Sequence, residues 1–275
     1  MRFGPAGYPQ SVKDSKTGGQ GALNLLKSIG LDALEMEFVQ GVNTSAATAR
    51  DIGAKAKELD IRLSAHAPYF ISFNSETPET RAKSVSYVMD TVRIAHNLGA
   101  YIVVIHAAYY GKTSPKEATD AVIDGLNKCK EKMDDENIKD VILGLETMGR
   151  PSAWGTLKEI GEVMDSIPGV RPVLDVGHVH ARYNGSLRTK EDMSSLTDEF
   201  FPLAGDMPHF HISCLKYTAK GEKNHIPLSA KDPDMSLLAE ALSDCKKDCT
   251  FICESPLLEE DALNFKRMFP QQAKL

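Results

Sequence analysis

The chain has no long hydrophobic run, and this absence limits where we expect the protein to act. No apolar stretch approaches the roughly 18 residues that a membrane-spanning helix requires. The first residues, MRFGPAGYP, lack the apolar core of a secretory signal, so we expect a cytoplasmic protein with no membrane partner. The five cysteines are an odd number, and they are expected to be free thiols in a reducing compartment.

Several familiar catalytic motifs are also missing. No Gly-rich phosphate loop, His-Glu-x-x-His helix or Gly-x-Ser-x-Gly turn occurs in the sequence. Cys245, Cys249 and Cys253 are spaced by four, but they run from a predicted helix through a loop into a predicted strand. This placement does not favour a cysteine metal site. The net charge of −6 argues against a protein that coats nucleic acid non-specifically, although it does not exclude a local basic groove.

The sequence does contain a regular alternation of short apolar runs and helical patterns. Strict alternation indicates parallel strands joined by right-handed crossovers. Thr77-Pro78 and Ser114-Pro115 place a capping hydroxyl before proline in the first turn of a helix. Eight units, 275 residues and no proline-rich linker predict a single (β/α)8 TIM-barrel domain over residues 1–275. The predicted strands are 1–7, 33–39, 62–68, 101–107, 141–147, 170–176, 209–214 and 250–256.

A side chain of the type that binds metals stands at the C-terminal end of six predicted strands. Active sites of such barrels lie at that end of the strands, so we expect one polar cup there. Histidine nitrogen and carboxylate oxygen together suit Zn²⁺, Mn²⁺ or Fe²⁺, and six ligands exceed what one four-coordinate zinc takes. The sequence therefore predicts a multinuclear metal centre. The six residues are His66, His106, Glu146, Asp175, His211 and Glu254.

Further histidines stand close to these positions. His178 follows Asp175 by three residues, on what we predict to be a loop, and is a seventh candidate ligand. His180 and His209 are near the cup by spacing, and either is a candidate partner that orients a ligand. Whether His209 or His211 is the seventh-strand ligand is left open. His96, inside a helical pattern, is predicted to pack or to face solvent.

Six motifs that cover nearly the whole chain resemble endonuclease IV, the metal-dependent apurinic/apyrimidinic endonucleases of the xylose isomerase-like barrel superfamily. The motifs are HAPYFISFNS, VVIHAAYYG, GLETMGRPSAWGTL, LDVGHVHA, HISCLK and CESP. The resemblance implies a hydrolase that cuts duplex DNA 5′ to abasic sites in DNA repair and acts as a monomer. It implies two or three Zn²⁺ ions, with Mn²⁺ as an alternative metal. The implied ligands are His66, His106, Glu146, Asp175, His178, His211 and Glu254.

The resemblance also implies roles for individual residues. Glu146 would bridge two ions and assist the attacking hydroxide, and Glu254 would share the catalytic role. Tyr69 and Phe70 match the aromatic–apolar pair with which the family wedges into DNA at the lesion, and such insertion unstacks a base step. Anchoring the loop is the alternative role for these two residues.

The sequence departs from the family around the third zinc. The family takes an Asp-x-His pair from the loop after the seventh strand, and this chain has GEKNHIPLS there. His225 is a candidate ligand, but Lys223 stands where the family has its acid. Ala107 and Ala108 also replace the Pro-Gly that follows the fourth-strand histidine in the family. Two metal ions are therefore expected, and the third site is left open.

Two other functions fit the same residues. Sugar isomerases and epimerases of the superfamily hold one Mn²⁺-type ion, and a metal-dependent lesion binder would keep the cup and the aromatic pair without cleaving DNA. His66 and His106 favour the nuclease, because a one-metal isomerase does not need them as ligands. The isomerase ligands would be Glu146, Asp175, His211 and Glu254, with His178 contacting the substrate.

Overall fold

A computed structural model describes residues 1–15 and 17–269, and its centre is a nearly closed barrel of eight parallel strands. From the second strand onward each strand pairs with its neighbour in chain order, and the last pairs with the first. The predicted TIM barrel is confirmed, and each strand lies within its predicted range. The strands are β1 Arg2–Pro5, β2 Ala33–Glu37, β3 Arg62–His66, β4 Ile102–Ile105, β5 Ile142–Glu146, β6 Arg171–Asp175, β7 His209–Ile212 and β8 Thr250–Cys253.

The barrel closes between β1 and β2 through a short contact. Ala6 forms a parallel bridge with Glu35, and the Gly7 N–H donates to the Glu35 carbonyl at 2.9 Å. A Cβ atom on Gly4 would lie 1.8 Å from the carbonyl oxygen of Ala33, so only glycine permits this approach of the two strands. Closure brings the C-terminal ends of all eight strands to one end of the barrel, which we call the mouth.

Helices cover the outside of the barrel. Ser114 caps the helix that begins at Pro115, as predicted, because its side chain accepts from Glu117 N–H. The predicted capping hydrogen bond of Thr77 is wrong, because its hydroxyl donates to the Thr80 side chain at 2.6 Å. Among the described residues, no helix is long and apolar enough to cross a membrane. The helices are α1 Gln10–Ser15, α2 Gly18–Ile29, α3 Ala46–Glu58, α4 Pro78–Leu98, α5 Pro115–Asp135, α6 Leu157–Ser166, α7 Val176–Arg182, α8 Lys190–Ala204, α9 Met235–Ala241 and α10 Glu259–Met268, with a 3-10 turn at Leu228–Ala230.

Two elements at the mouth differ from the prediction. The predicted loop after β6 is wrong: the Asp175 side chain accepts from His178 N–H at 2.5 Å and so caps helix α7. The segment after β7 is an antiparallel pair, Cys214–Thr218 with Gly221–Ile226, which we call the mouth hairpin. A second short pair, Ala108–Tyr109 with Ala153–Trp154, lies after β4 and β5. Both pairs add ordered backbone around the polar cup.

The apolar core lies between the strands and the helices. Phe251 in β8 stacks on Phe3 at 5.2 Å and on Phe210 at 4.8 Å, and Phe265 of α10 packs edge-on against it. Because these rings point outward, the inward positions of the same strands are free to carry polar residues. All five cysteines are free thiols, as predicted, and no group of potential metal ligands in the described residues includes one.

Candidate metal centre

The six strand-end side chains meet at the mouth in two groups. Ligand atoms of His66, His106 and Glu146 lie within 4.8 Å of one another. The same limit holds for a second group, made by Glu146, Asp175, His211 and Glu254. We call these the first group and the second group. Glu146 belongs to both, and its side chain is fully buried between them.

The two oxygens of Glu146 face different groups. Oε2 lies 2.7 Å from His106 Nε2 and 3.2 Å from His66 Nε2. Oε1 lies 3.3 Å from His211 Nδ1 in the second group. A carboxylate in this position is able to bind one cation through each oxygen.

The hydrogen-bonding state of the two groups fits divalent metal ions. His66 Nδ1 lies 2.7 Å from the carbonyl oxygen of Ala67, so Nδ1 carries a proton and Nε2 presents its lone pair to Glu146. A lone pair facing a carboxylate is unfavourable unless a proton or a cation lies between them. Among the described residues, Glu146 Oε1, Asp175 Oδ2 and His211 Nδ1 are buried without a hydrogen bond, which is uncommon for polar atoms.

The electrostatics of the cluster indicate that protons replace a metal when none is bound. Burial opposes the charged form, but contact with Glu146 and Glu37 raises the pKa of His66 to about 10. Burial would raise the pKa of Glu146, but His106 and His211 hold it well below its usual range. Burial raises the pKa of Asp175 and of Glu254. Since ligands must lose their protons to bind a metal, affinity is expected to fall as the pH falls.

His178 joins a third set of side chains at the mouth. Its Nδ1 lies 2.9 Å from the carbonyl oxygen of Thr147, and its Nε2 lies 2.9 Å from Glu222 Oε2. Burial would raise the pKa of Glu222, but the neighbouring His178 lowers it to about 2. The His225 ring centroid lies 5.8 Å from that of His178. We call His178, Glu222 and His225 the third group; its acid is Glu222 and not a residue two positions before His225.

A bulge in the mouth hairpin explains why Glu222 joins this group. Leu215 pairs with His225 and Lys216 with Asn224, but Tyr217 pairs with Glu222, so Lys223 is an extra residue. In a regular strand, Lys223 would share a face with His225. The extra residue turns Glu222 to that face instead. Gly149 leaves the space, because a Cβ there would lie 2.1 Å from Glu222 Oε2.

The remaining histidines take other roles. His209, at the start of β7, lies deeper than His211, so His211 is the histidine that faces the second group. His180 accepts from Leu187 N–H at Nδ1 and places Nε2 2.9 Å from Asp232, so both ring nitrogens are engaged away from the cup. His96 faces solvent and places Nδ1 2.7 Å from Asp140, in line with its prediction.

Two acids in β2, the buried Glu35 and the partly buried Glu37, were missed in the sequence. Glu35 and Glu37 alternate in ALEME, a pattern that aims both into the barrel, but neither ends the predicted run at 33–39. Burial would raise the pKa of Glu35, but His211 and His209 hold it well below its usual range. Burial raises the pKa of Glu37 to about 8. Glu35 is therefore a buried anion, whereas the surroundings of Glu37 favour its neutral form.

Tyr69 and Phe70 lie in the turn that follows β3, at the rim of the mouth. Their exposed fractions are 58% and 40%, which is high for side chains of this size. Phe70 packs edge-on against Tyr87 of α4 at 4.7 Å, so it partly anchors the loop. Tyr69 contacts Phe70 at 5.6 Å and is the more accessible of the pair.

The fold is a TIM barrel, and its polar mouth lies where that class of protein places its active sites. Within the class, the chain belongs to the xylose isomerase-like TIM barrel family, which matches residues 23–268.

Comparison with individual proteins agrees with this assignment. The chain is 30% identical over 268 residues to an uncharacterized protein of Methanocaldococcus jannaschii, covering 95% of this chain and 94% of that protein. It is 26% identical over 207 residues to a protein named "Probable endonuclease 4" from Methanosphaera stadtmanae, covering 72% of each. The resemblance to endonuclease IV is confirmed.

Solved structures with this fold include nucleases and epimerases. Endonuclease IV from Thermus thermophilus matches with a TM-score of 0.72 at 20% identity, covering 98% of this chain and 97% of that one. A D-tagatose 3-epimerase-like protein matches with a TM-score of 0.73 at 17% identity, covering 98% and 95%. The likeness defines the fold, and the choice between these activities depends on the site.

Proposed function

We propose that this protein is a metal-dependent apurinic/apyrimidinic endonuclease that hydrolyses the phosphodiester 5′ to abasic sites in duplex DNA. It acts as a single-domain monomer in DNA repair. Zinc is the proposed metal, because the first and second groups combine imidazole nitrogens with carboxylate oxygens. Mn²⁺ suits the same donors less specifically.

The observation that carries the proposal is the position of Glu146 between two groups of ligands. A one-metal epimerase needs only Glu146, Asp175, His211 and Glu254, which form the second group. It gives no reason for His66 and His106 to present Nε2 to the other oxygen of Glu146 at 3.2 and 2.7 Å. Two metal positions that share a carboxylate suit an in-line displacement at phosphorus, in which both the attacking and the leaving oxygen need stabilisation.

The residues of the cup have distinct tasks in this reaction. When bound, clustered dications neutralise the phosphate, lower the pKa of water and stabilise the leaving oxyanion. With metal bound, Glu146 would hold one ion at each oxygen and, with Glu254, would orient the attacking water and accept its proton. His66 keeps Nε2 free for a metal because its Nδ1–H is held by the Ala67 carbonyl. The buried walls exclude bulk water from the cup.

The rim of the mouth supports DNA as the partner. Tyr69 and Phe70 offer exposed rings that suit stacking on bases at an unpaired position. The mouth hairpin also exposes Lys216, Lys220 and Lys223, and none of these lysines forms an ion pair within the described ranges. These three charges give a local basic edge on an acidic protein, so binding is expected to weaken steeply with salt.

The proposal is tested with a duplex that carries one abasic-site analogue, incubated with zinc-loaded protein at low salt. We expect a single incision 5′ to the analogue, leaving a 3′-hydroxyl, and no incision of the undamaged duplex. An intact duplex together with interconversion of ketoses under Mn²⁺ would identify an epimerase instead. Tight binding of the lesion without either reaction would identify a non-cleaving lesion binder.

A third metal position is part of the proposal, with Glu222 as its carboxylate. His178 presents Nε2 to Glu222 because its Nδ1 is engaged by Thr147, so a cation between them removes an unfavourable contact. We expect the wild-type protein to bind three zinc equivalents and Glu222→Gln or His178→Ala to bind two. Equilibrium dialysis followed by elemental analysis measures this.

Gly149→Ala is a further test of the third position. It keeps the chemistry of all three side chains of the third group, but its Cβ would lie 2.1 Å from Glu222 Oε2 and displace that oxygen. We expect it to lose the same single equivalent. Two equivalents in the wild-type protein, unchanged in all three variants, would contradict a third position while leaving the first and second groups intact.

A further inference from the structure

The orientation of the His211 ring depends on a residue outside the cup. Its Nδ1 faces the second group, 3.3 Å from Glu146 Oε1 and 3.3 Å from Glu254 Oε1. Its Nε2 faces the barrel interior, 2.9 Å from Glu35 Oε1. If Nδ1 is to bind a cation, the ring proton must sit on Nε2, where a carboxylate is the partner best able to accept it.

Glu35 is itself held at a fixed position. Its Oε2 accepts from the Ser64 hydroxyl at 2.7 Å and lies 3.2 Å from His209 Nε2. The Glu35 and His211 side chains are fully buried, so neither ring nor carboxylate exchanges these partners for water. The Ser64 hydroxyl thus holds Oε2, while Oε1 faces His211 Nε2 as an ion pair without a regular hydrogen bond.

The support continues down the barrel to the end opposite the mouth. His209 Nδ1 lies 2.6 Å from the Tyr101 hydroxyl, which lies 3.2 Å from Thr250 Oγ1. Arg62 donates to Thr250 Oγ1 at 3.0 Å and pairs with Asp248. The Tyr101 hydroxyl donates to Thr250, so its oxygen is left to accept from His209 Nδ1. A continuous polar column therefore fixes Glu35 from below.

We propose that Glu35 is a positioning residue of the metal centre: it fixes the tautomer and the ring orientation of His211, so that Nδ1 is available to the second group. This proposal rests on the proposed metal centre and goes beyond it. The rival assignment is that Glu35, His209 and His211 themselves hold an ion, because their ligand atoms also lie within 4.8 Å of one another. The Ser64 hydroxyl already occupies Oε2, the oxygen that faces His209, and this favours support of His211 over an ion shared by the three residues.

The test compares Glu35→Gln with Asp32→Asn, the same change of a carboxylate to an amide just before β2, at the end opposite the mouth. Among the described residues, Asp32 belongs to no set of potential ligands within 4.8 Å, so it is the matched control. Zinc affinities are measured by competition with a chromophoric chelator, and site geometry by the electronic spectrum of the Co²⁺-loaded protein. Neither readout requires DNA or turnover, so failure of the endonuclease proposal would not affect them.

We expect Glu35→Gln to weaken one zinc equivalent by about 10- to 100-fold, the usual effect of removing a partner behind a metal ligand. The Co²⁺ spectrum should change with it, while the remaining equivalents and the Asp32→Asn protein keep wild-type affinities. Unchanged affinities and an unchanged spectrum in folded Glu35→Gln would overturn the proposal. Complete loss of one equivalent, with the others and their Co²⁺ bands unaffected, would instead make Glu35 a ligand of its own ion.

A measurement on the unaltered protein guards against a variant that does not fold. Long-range ¹H–¹⁵N NMR of the zinc-loaded wild-type protein reports which nitrogen of His211 carries the proton. We expect a protonated Nε2 that exchanges slowly with water and a metal-bound Nδ1. A protonated Nδ1, or metal bound through Nε2, would overturn the proposal without any substitution.

Discussion

Glu146→Gln is expected to remove bound metal from two positions at once. The carboxylate places Oε2 2.7 Å from His106 and Oε1 3.3 Å from His211, so its charge is shared by the first and second groups. The neutral amide offers one oxygen and one N–H₂ group, and it cannot bind a cation through each end. We expect both affinities to fall by more than the roughly 100-fold seen when only an outer partner is lost. Incision of abasic DNA should disappear with the metal.

Metal titration of the Glu146→Gln protein measures this effect. Glu254→Gln is the control, because Glu254 belongs only to the second group and its loss should weaken one equivalent. Loss of a single equivalent in both variants would mean that Glu146 is a terminal ligand. Circular dichroism separates either result from unfolding.

Replacement of Tyr69 and Phe70 by alanine is expected to abolish preference for the abasic site while metal content stays at the wild-type level. The rings lie in the turn after β3 and are exposed by 58% and 40%. Ala67 and Pro68 separate Tyr69 from the ligand His66. A stacked aromatic contributes about 1–3 kcal/mol per base. Tyr69→Ala should therefore weaken lesion binding by at least about fivefold, and the double variant by more.

The comparison between the two single variants distinguishes insertion from anchoring. Phe70 rests on Tyr87, so Phe70→Ala should also lower thermal stability, whereas Tyr69→Ala should not. Met207→Ala is the control for loss of an exposed apolar side chain, because Met207 is 39% exposed in the segment that leads into β7, away from the mouth. Equal binding of abasic and intact duplex by the wild-type protein would remove the basis for a wedge.

The strands and their terminal side chains could be predicted because each apolar run ends at an ionisable residue. Glu35 was not predicted, because it lies in the middle of a strand. Only its two-residue spacing from Glu37 indicates that it faces the barrel interior. Helix α7 was missed because Asp175 was taken only as a ligand, although aspartate is also a common helix cap. In each case a residue has two physical roles, and the sequence pattern indicated only one.

Glu222 could not be found by spacing, because its direction depends on how the hairpin pairs. A one-residue bulge reverses the side to which every earlier residue of the strand points. The register between Tyr217 and Glu222 is a property of two segments together, and the order of residues in one segment does not contain it.

The bulge also relates this hairpin to the acid-x-His pair of the endonuclease IV family. Without Lys223, the segment Glu222-Lys223-Asn224-His225 would read Glu-Asn-His, which has the spacing of the family's acid-x-His pair. One inserted residue is thus absorbed by the backbone while the acid and the histidine keep facing the cup. A search for distant relatives by fixed motif spacing would discard such chains, and one that tolerates a single extra residue in the hairpin would retain them.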